Sequence, residues 1–159
     1  MSVAFRRESD EEHKEPRFEL PIPAGANLVT PRGLALIEAR VAMLEAGLTE
    51  ATGEEARAAL ARDLRYWRTR RITAEVAPAP AGDEVAFGTR VTFRLSNTVR
   101  TIAIVGHDEA DPAAGSIAFT APLAWAMLGM LSGEKVAFNG REDAIEVLAI
   151  LPGDDRAGG

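Results

Sequence analysis

The chain has 159 residues, 47% apolar and 26% charged, with a formal net charge of −6, no cysteine and two histidines. A chain of this size and balance can bury a self-sufficient core. Its residue usage excludes a disulfide framework, a thiolate zinc site, a thiol nucleophile and a histidine-rich metal centre. The acidic balance argues against a surface built to coat nucleic acid, and no apolar run approaches the roughly 18 residues of a membrane span.

Residues 1–27 mix charges with Pro16, Pro21 and Pro23 and lack apolar periodicity, which predicts a flexible leader. Its charged start has no apolar stretch of the signal-peptide kind, so a cytoplasmic location is the default. Phe5, Phe18 and Ile22 are its candidate docking residues, against the plainer reading of a solubilising tail.

Residues 28–77 read as an antiparallel helical hairpin. Thr30 is the N-cap and Pro31 the first helical residue, where its missing N–H does no harm. Leu34, Ile37, Val41, Leu44 and Leu48 then recur at spacings of three and four. Gly47 and Gly53 bracket a break, and Ala56, Leu60, Leu64 and Trp67 form the matching stripe of a second helix that ends before Pro78 and Pro80. With a first arm from Pro31 to about Gly47 and a second from about Gly53 to Val76, the hairpin reaches about 25–35 Å. Between residues 31 and 76 eight arginines offset seven acids, and this segment is not acidic. Arg57, Arg65 and Arg68 share one face of the second helix, with Arg70 and Arg71 at its base.

Residues 78–83 are a short, stiff, proline-rich linker. Over residues 84–151 the period changes from 3.6 to 2. Strands are expected at Arg90–Leu95, Thr101–Val105, Ser116–Phe119, Lys135–Phe138 and Ala144–Leu151, with Asn139-Gly140 as a hairpin turn. One helix starts at Pro122 and ends near Gly129; Trp125 and Met127 are assigned to its core-facing side. His107, isolated beside acids, is expected to be exposed rather than a metal ligand. Residues 152–159 are expected to be a disordered tail. The class is α+β: an N-terminal antiparallel two-helix coiled coil followed by an antiparallel sheet with one helix.

Several motifs in fixed order resemble the C-terminal domain of the bacterial Gre transcription elongation factors. They are Phe87-Gly88-Thr89-Arg90-Val91-Thr92, the run from Val105 to Pro112, Gly115-Ser116-Ile117, Ala121-Pro122-Leu123-Ala124, Leu128-Gly129 and Leu131 to Val136. Thr30-Pro31-Arg32-Gly33-Leu34 is similar to the start of that family's coiled-coil arm, and Met1 to Phe5 with the acids after it to a GreB-like leader. The resemblance implies an FKBP-like sheet domain and RNA polymerase as partner. The globular domain would sit at the mouth of the secondary channel through Asp108, Glu109, Asp111 and Pro112, while the coiled coil carries tip acids toward the polymerase's catalytic magnesium. The Arg57, Arg65 and Arg68 face would then lie against nascent RNA or channel acids, or simply cover its helix with aliphatic stems.

The tip departs from the family pattern. Glu50 stands where a working glutamate is usual, but Gly47 takes the place of the aspartate; Glu54 and Glu55 also suit the first turn of a helix electrostatically. Family arms are longer. The expectation is therefore a monomeric polymerase binder, itself no enzyme and with no cofactor or metal of its own, that modulates elongation with weak or no stimulation of transcript cleavage. The alternatives are an Rnk-like regulator or a competitor that blocks cleavage factors from the channel, and, less favoured, an FKBP-like prolyl isomerase.

Overall fold

The computed structural model describes residues 19–153. Phe5 and Phe18 lie outside the described residues, as do residues 154–159. Helix α1 (Pro31–Glu50) starts as its sequence dictates: Thr30 is extended, and its hydroxyl accepts a hydrogen bond from the Gly33 N–H at 2.9 Å. Helix α2 (Glu54–Thr73) follows after only three residues, with Gly53 at a φ of +98° that a side chain would disfavour. Each helix has 20 residues and is therefore about 30 Å long. Gly47 does not break α1; it lies inside it, and the Ala51 N–H bonds back to its carbonyl at 2.9 Å. A glycine in a helix is only mildly unfavourable, and the cross-helix packing of Leu60 against this position offsets it.

The hairpin seam is narrow. Val41, Leu44 and Leu64 are buried, with Leu48, Leu60 and Trp67 half-buried around them. At its foot the chain entering α1 and the chain leaving α2 meet as two short parallel strands, β1 (Leu28–Val29) and β2 (Glu75–Val76). Neither is long enough to be read from periodicity.

The second half is a five-stranded sheet. It comprises β3 (Thr89–Leu95), β4 (Thr98–Val105), β5 (Ser116–Ala118), β6 (Lys135–Phe138) and β7 (Arg141–Pro152), in the order β5-β4-β3-β7-β6. The β3–β4 hairpin turns over Ser96 and Asn97 and the β6–β7 hairpin over Asn139 and Gly140, all with positive φ. The sheet is mixed rather than wholly antiparallel, because β5 pairs with β4 in parallel. After β4 the chain doubles back through the loop 106–115, and a bridge between Asp111 and Ser116 re-aims it along its previous direction. Strand β7 continues to Pro152, paired with Thr89, one residue into the expected tail.

Helix α3 (Pro122–Met127) closes the core with Ala124 and Met127, over Val91, Phe93, Ile102, Ile104, Ile145 and Val147. Met127 is core as expected, but Trp125 is 67% exposed. In a helix this short the inward face is set by Ala124 and Met127, three apart, and Trp125, one residue on from Ala124, is turned roughly 100° away from it.

Candidate functional site

The loop that follows β4 carries the acids singled out from the sequence, and the structure divides them into two pairs. Asp108 and Glu109 turn inward to the foot of the hairpin, whereas Asp111 and Pro112 are exposed. The division follows from the backbone. Gly106 lets the loop press on the N-terminal segment so closely that a Cβ there would collide with the Leu28 carbonyl oxygen. Asp111 then opens a single 3-10 turn, Pro112–Ala114, that projects outward before β5.

Asp108 is held by α2. Its Oδ2 accepts from Arg70 Nε at 2.6 Å and its Oδ1 from the Tyr66 hydroxyl at 2.5 Å. The Arg70 and Asp108 side chains are only 3% and 5% exposed. Arg70 also donates through Nη2 to Asn27 Oδ1 at 2.8 Å, and Asn27 Nδ2 donates to the Arg70 carbonyl at 2.8 Å and to Thr73 Oγ1 at 3.1 Å. A buried ion pair is tolerated only when its remaining donors and acceptors are satisfied, and here Tyr66 and Asn27 do that. Glu109 grips the other helix: its Oε1 accepts from the Thr30 hydroxyl at 2.6 Å. Gly33 makes room for it, since a Cβ there would lie 2.8 Å from that oxygen. Thr30 thus caps α1 and tethers the loop through one hydroxyl. Thr30→Ala removes both bonds and should lower stability by about 1–2 kcal/mol, roughly 3–6 °C in melting temperature; a thermal melt followed by circular dichroism checks it.

Burial, reinforced by the hydrogen bond to Asp108, pushes the Tyr66 phenol well above its ordinary value of 10.0. The folded chain therefore keeps its proton at a pH where the unfolded chain gives it up. Stability from this group is intact below pH 10 and is lost as pH rises beyond it. The slope is at most about 1.4 kcal/mol per pH unit, less where solvent screens the half-buried ring. Tyr66→Phe should flatten the alkaline fall in stability, read by urea unfolding at several pH values from about 9 to 11.5; equal slopes would contradict the assignment.

At the far end, Glu50 closes α1 while Glu54 and Glu55 open α2, all exposed. Among the described residues no three acids or histidines converge in the geometry of a metal site. The three arginines of the expected basic face each have an intramolecular partner. Arg57 donates to the Leu48 carbonyl at 3.0 Å and to that of Ala51 at 3.4 Å, capping the end of α1. Arg68 meets Glu45 at 2.9 Å, and Arg65 holds Glu19 of the leader through two bonds of 2.7 and 2.6 Å. That fork holds the Glu19 carboxyl below its ordinary range.

His107 is exposed, as expected. Sequence reasoning missed Asn27 and the bond made by Tyr66, and set Arg70 only at the base of the basic face. The only signal for them was an unusual asparagine just ahead of the first cap and a tyrosine four residues before an arginine, which places both on one side of α2. An apolar cleft of about 240 Å³ lies between the linker and the start of α1, walled by Pro31, Pro78, Pro80 and Phe87 with one aromatic ring; it offers no aromatic-lined pocket for a prolyl peptide.

Residues 79–152 match the family described as "Transcription elongation factor, GreA/GreB, C-term". The chain is 44% identical over 77 residues to the transcription elongation factor GreA of Leuconostoc mesenteroides, covering 45% of this chain and 48% of that protein. It is 37% identical over 90 residues to GreB of Neisseria meningitidis, covering 52% and 55%. The matches thus span about half the length of these relatives. Among solved structures, GreA factor homolog 1 of Thermus thermophilus aligns with 79% of this chain and 99% of its own, at 14% identity and a TM-score of 0.37.

Proposed function

We propose that this chain, which matches the C-terminal domain of the GreA/GreB transcription elongation factors over residues 79–152, acts as a factor of that family and binds bacterial RNA polymerase at the secondary channel. It docks through the exposed Asp111–Pro112 lip of the sheet domain and inserts the hairpin, and it modulates elongation in the cytoplasm as a monomer. It stimulates transcript cleavage weakly or not at all. The observation that supports this most is the length of the hairpin: 20 residues per arm, about 30 Å, ending in Glu50, Glu54 and Glu55. Assistance to a magnesium ion demands a carboxylate oxygen in its coordination shell, at about 2.0–2.1 Å, and an acid held several ångströms short contributes nothing to the reaction. A hairpin shorter than family arms, gripped at the same outer rim, leaves its tip short.

Backtracked transcription complexes mixed with this protein should release little or no short 3′ RNA at concentrations where it co-purifies with polymerase. Robust, GreA-like release would overturn the reading, as would failure to bind polymerase. The same short arm favours a second role: occupying the channel without cleaving, so that adding this protein to reactions containing an authentic cleavage factor slows release. Glu19 and Glu45 already pair with the Arg65 and Arg68 guanidiniums, so nascent RNA would compete with these carboxylates for them.

A further inference from the structure

The foot of the hairpin is clamped at two points by adjacent residues of a single loop. Asp108 binds α2 through Arg70 and Tyr66, and Glu109 binds α1 through the Thr30 hydroxyl. One such contact would leave the hairpin free to swing or to roll about its own axis. Two contacts, on different helices, remove both freedoms. The backbone is drawn in alongside: Gly106 presses on Leu28, and β1 and β2 tie the entering and leaving chains together. The buried seam of the hairpin over Val41, Leu44 and Leu64 and the core of the sheet domain are separate clusters, and Val29, Ile37 and Val105 are buried apolar residues outside both. Apolar contact of this kind tolerates a range of angles, whereas the bonds between the charged and polar groups of the loop and the helices are directional.

From this geometry we infer that Asp108, Glu109, Arg70 and Tyr66 are positioning residues, which aim the hairpin at a fixed angle from the loop whose outer lip, Asp111–Pro112, docks on the partner. The inference deepens the proposed function and rests on it for its consequence, but the angle itself is a property of the free protein. A contact made at the lip then determines where the tip points, some 30 Å away. The division of labour within the loop accounts for the exposure of Asp111 and the burial of Asp108 only three residues apart.

The absence of cysteine makes the test clean. Spin labels on Glu50→Cys at the tip and Arg141→Cys on the sheet, both exposed positions, report the angle as a dipolar distance distribution. The parent should give one narrow distribution. The Arg70→Met/Asp108→Leu double variant exchanges the ion pair for an apolar pair of similar bulk, which often leaves stability nearly unchanged, yet it removes the directional bonds. It should melt within a few degrees of the parent while its distance distribution broadens at least twofold, and Tyr66→Phe should broaden it less. In polymerase assays the double variant should still bind but lose most of its effect on elongation. A distribution as narrow as the parent's would overturn the inference. So would loss of the sheet domain's melting transition, because the pair would then be holding the fold rather than its direction. Failure of every form to bind polymerase, with the broadening seen, would overturn the proposed function and leave the clamp intact.

Discussion

Replacing Arg70 by alanine should destabilise the protein by about 3–5 kcal/mol, the cost of stranding one member of a buried ion pair. The side chain is 3% exposed and carries three interactions at once: its guanidinium meets Asp108 and Asn27, and its cation lies 6.0 Å from the Tyr66 ring centroid. Once it is gone, Asp108 retains only the Tyr66 hydroxyl, and Asn27 loses a donor for its carbonyl oxygen while still bonding the backbone. The carboxylate has little solvent to turn to. Arg68→Ala, two residues earlier on the same helix, provides the internal comparison. It removes a pair with Glu45 in which both side chains are about half exposed, and should change stability by less than about 1 kcal/mol. Urea unfolding of the two variants at pH 7 measures the contrast. Equal effects would mean that the Arg70–Asp108 pair is hydrated and that the hairpin foot is not held as described.

What the sequence made legible, and what it did not, divides along the same physical line. Periodic burial leaves a trace in one dimension: the α1 stripe, the β3 alternation and the Asn139-Gly140 turn are local patterns, and each element stands where its pattern lies. Capping is local too, so Thr30 and Pro31 mark the start of α1 correctly. The clamp is not local. Asp108 lies 38 residues from Arg70 and Glu109 lies 79 from Thr30, and nothing in a window of either segment reveals the partner. Hence the acids of the loop read as one docking surface, although the Asp108 and Glu109 side chains are bonded within the chain. For the same reason the arginines of α2 read as an open cationic face, although Arg65 and Arg68 are matched by Glu19 and Glu45 from other segments. The parallel β4–β5 pairing escaped because strand direction depends on the path of the loop between them, and strands β1 and β2, two residues each, are too short for any period. Gly106 was the available hint: a glycine without a positive φ, needed because two backbones touch there.

Asp111→Lys is the substitution expected to weaken polymerase binding most while sparing the fold. Asp111 holds the loop through its backbone alone, its N–H donating to the Ser116 carbonyl at 2.9 Å and its carbonyl accepting from Ala114 at 2.9 Å and Ser116 at 3.1 Å. Its side chain makes none of the hydrogen bonds found among the described residues and is exposed, so lysine fits there without strain. If the lip docks on a basic surface of the polymerase, reversing its charge replaces an attraction by a like-charge contact, which costs several kcal/mol when desolvated. A loss of roughly a hundredfold in affinity or more is the expected result, with an unchanged melting temperature. Asp108→Lys should behave differently: it sets a second cation beside the Arg70 guanidinium in a site with almost no solvent, and both the melting temperature and the binding should fall. Measuring affinity and melting for the two variants separates docking from architecture. If Asp111→Lys binds polymerase as the parent does, the lip is not the docking surface. If Asp108→Lys melts as the parent does, then Asp108 is free to face a partner, and the two halves of the loop exchange their roles.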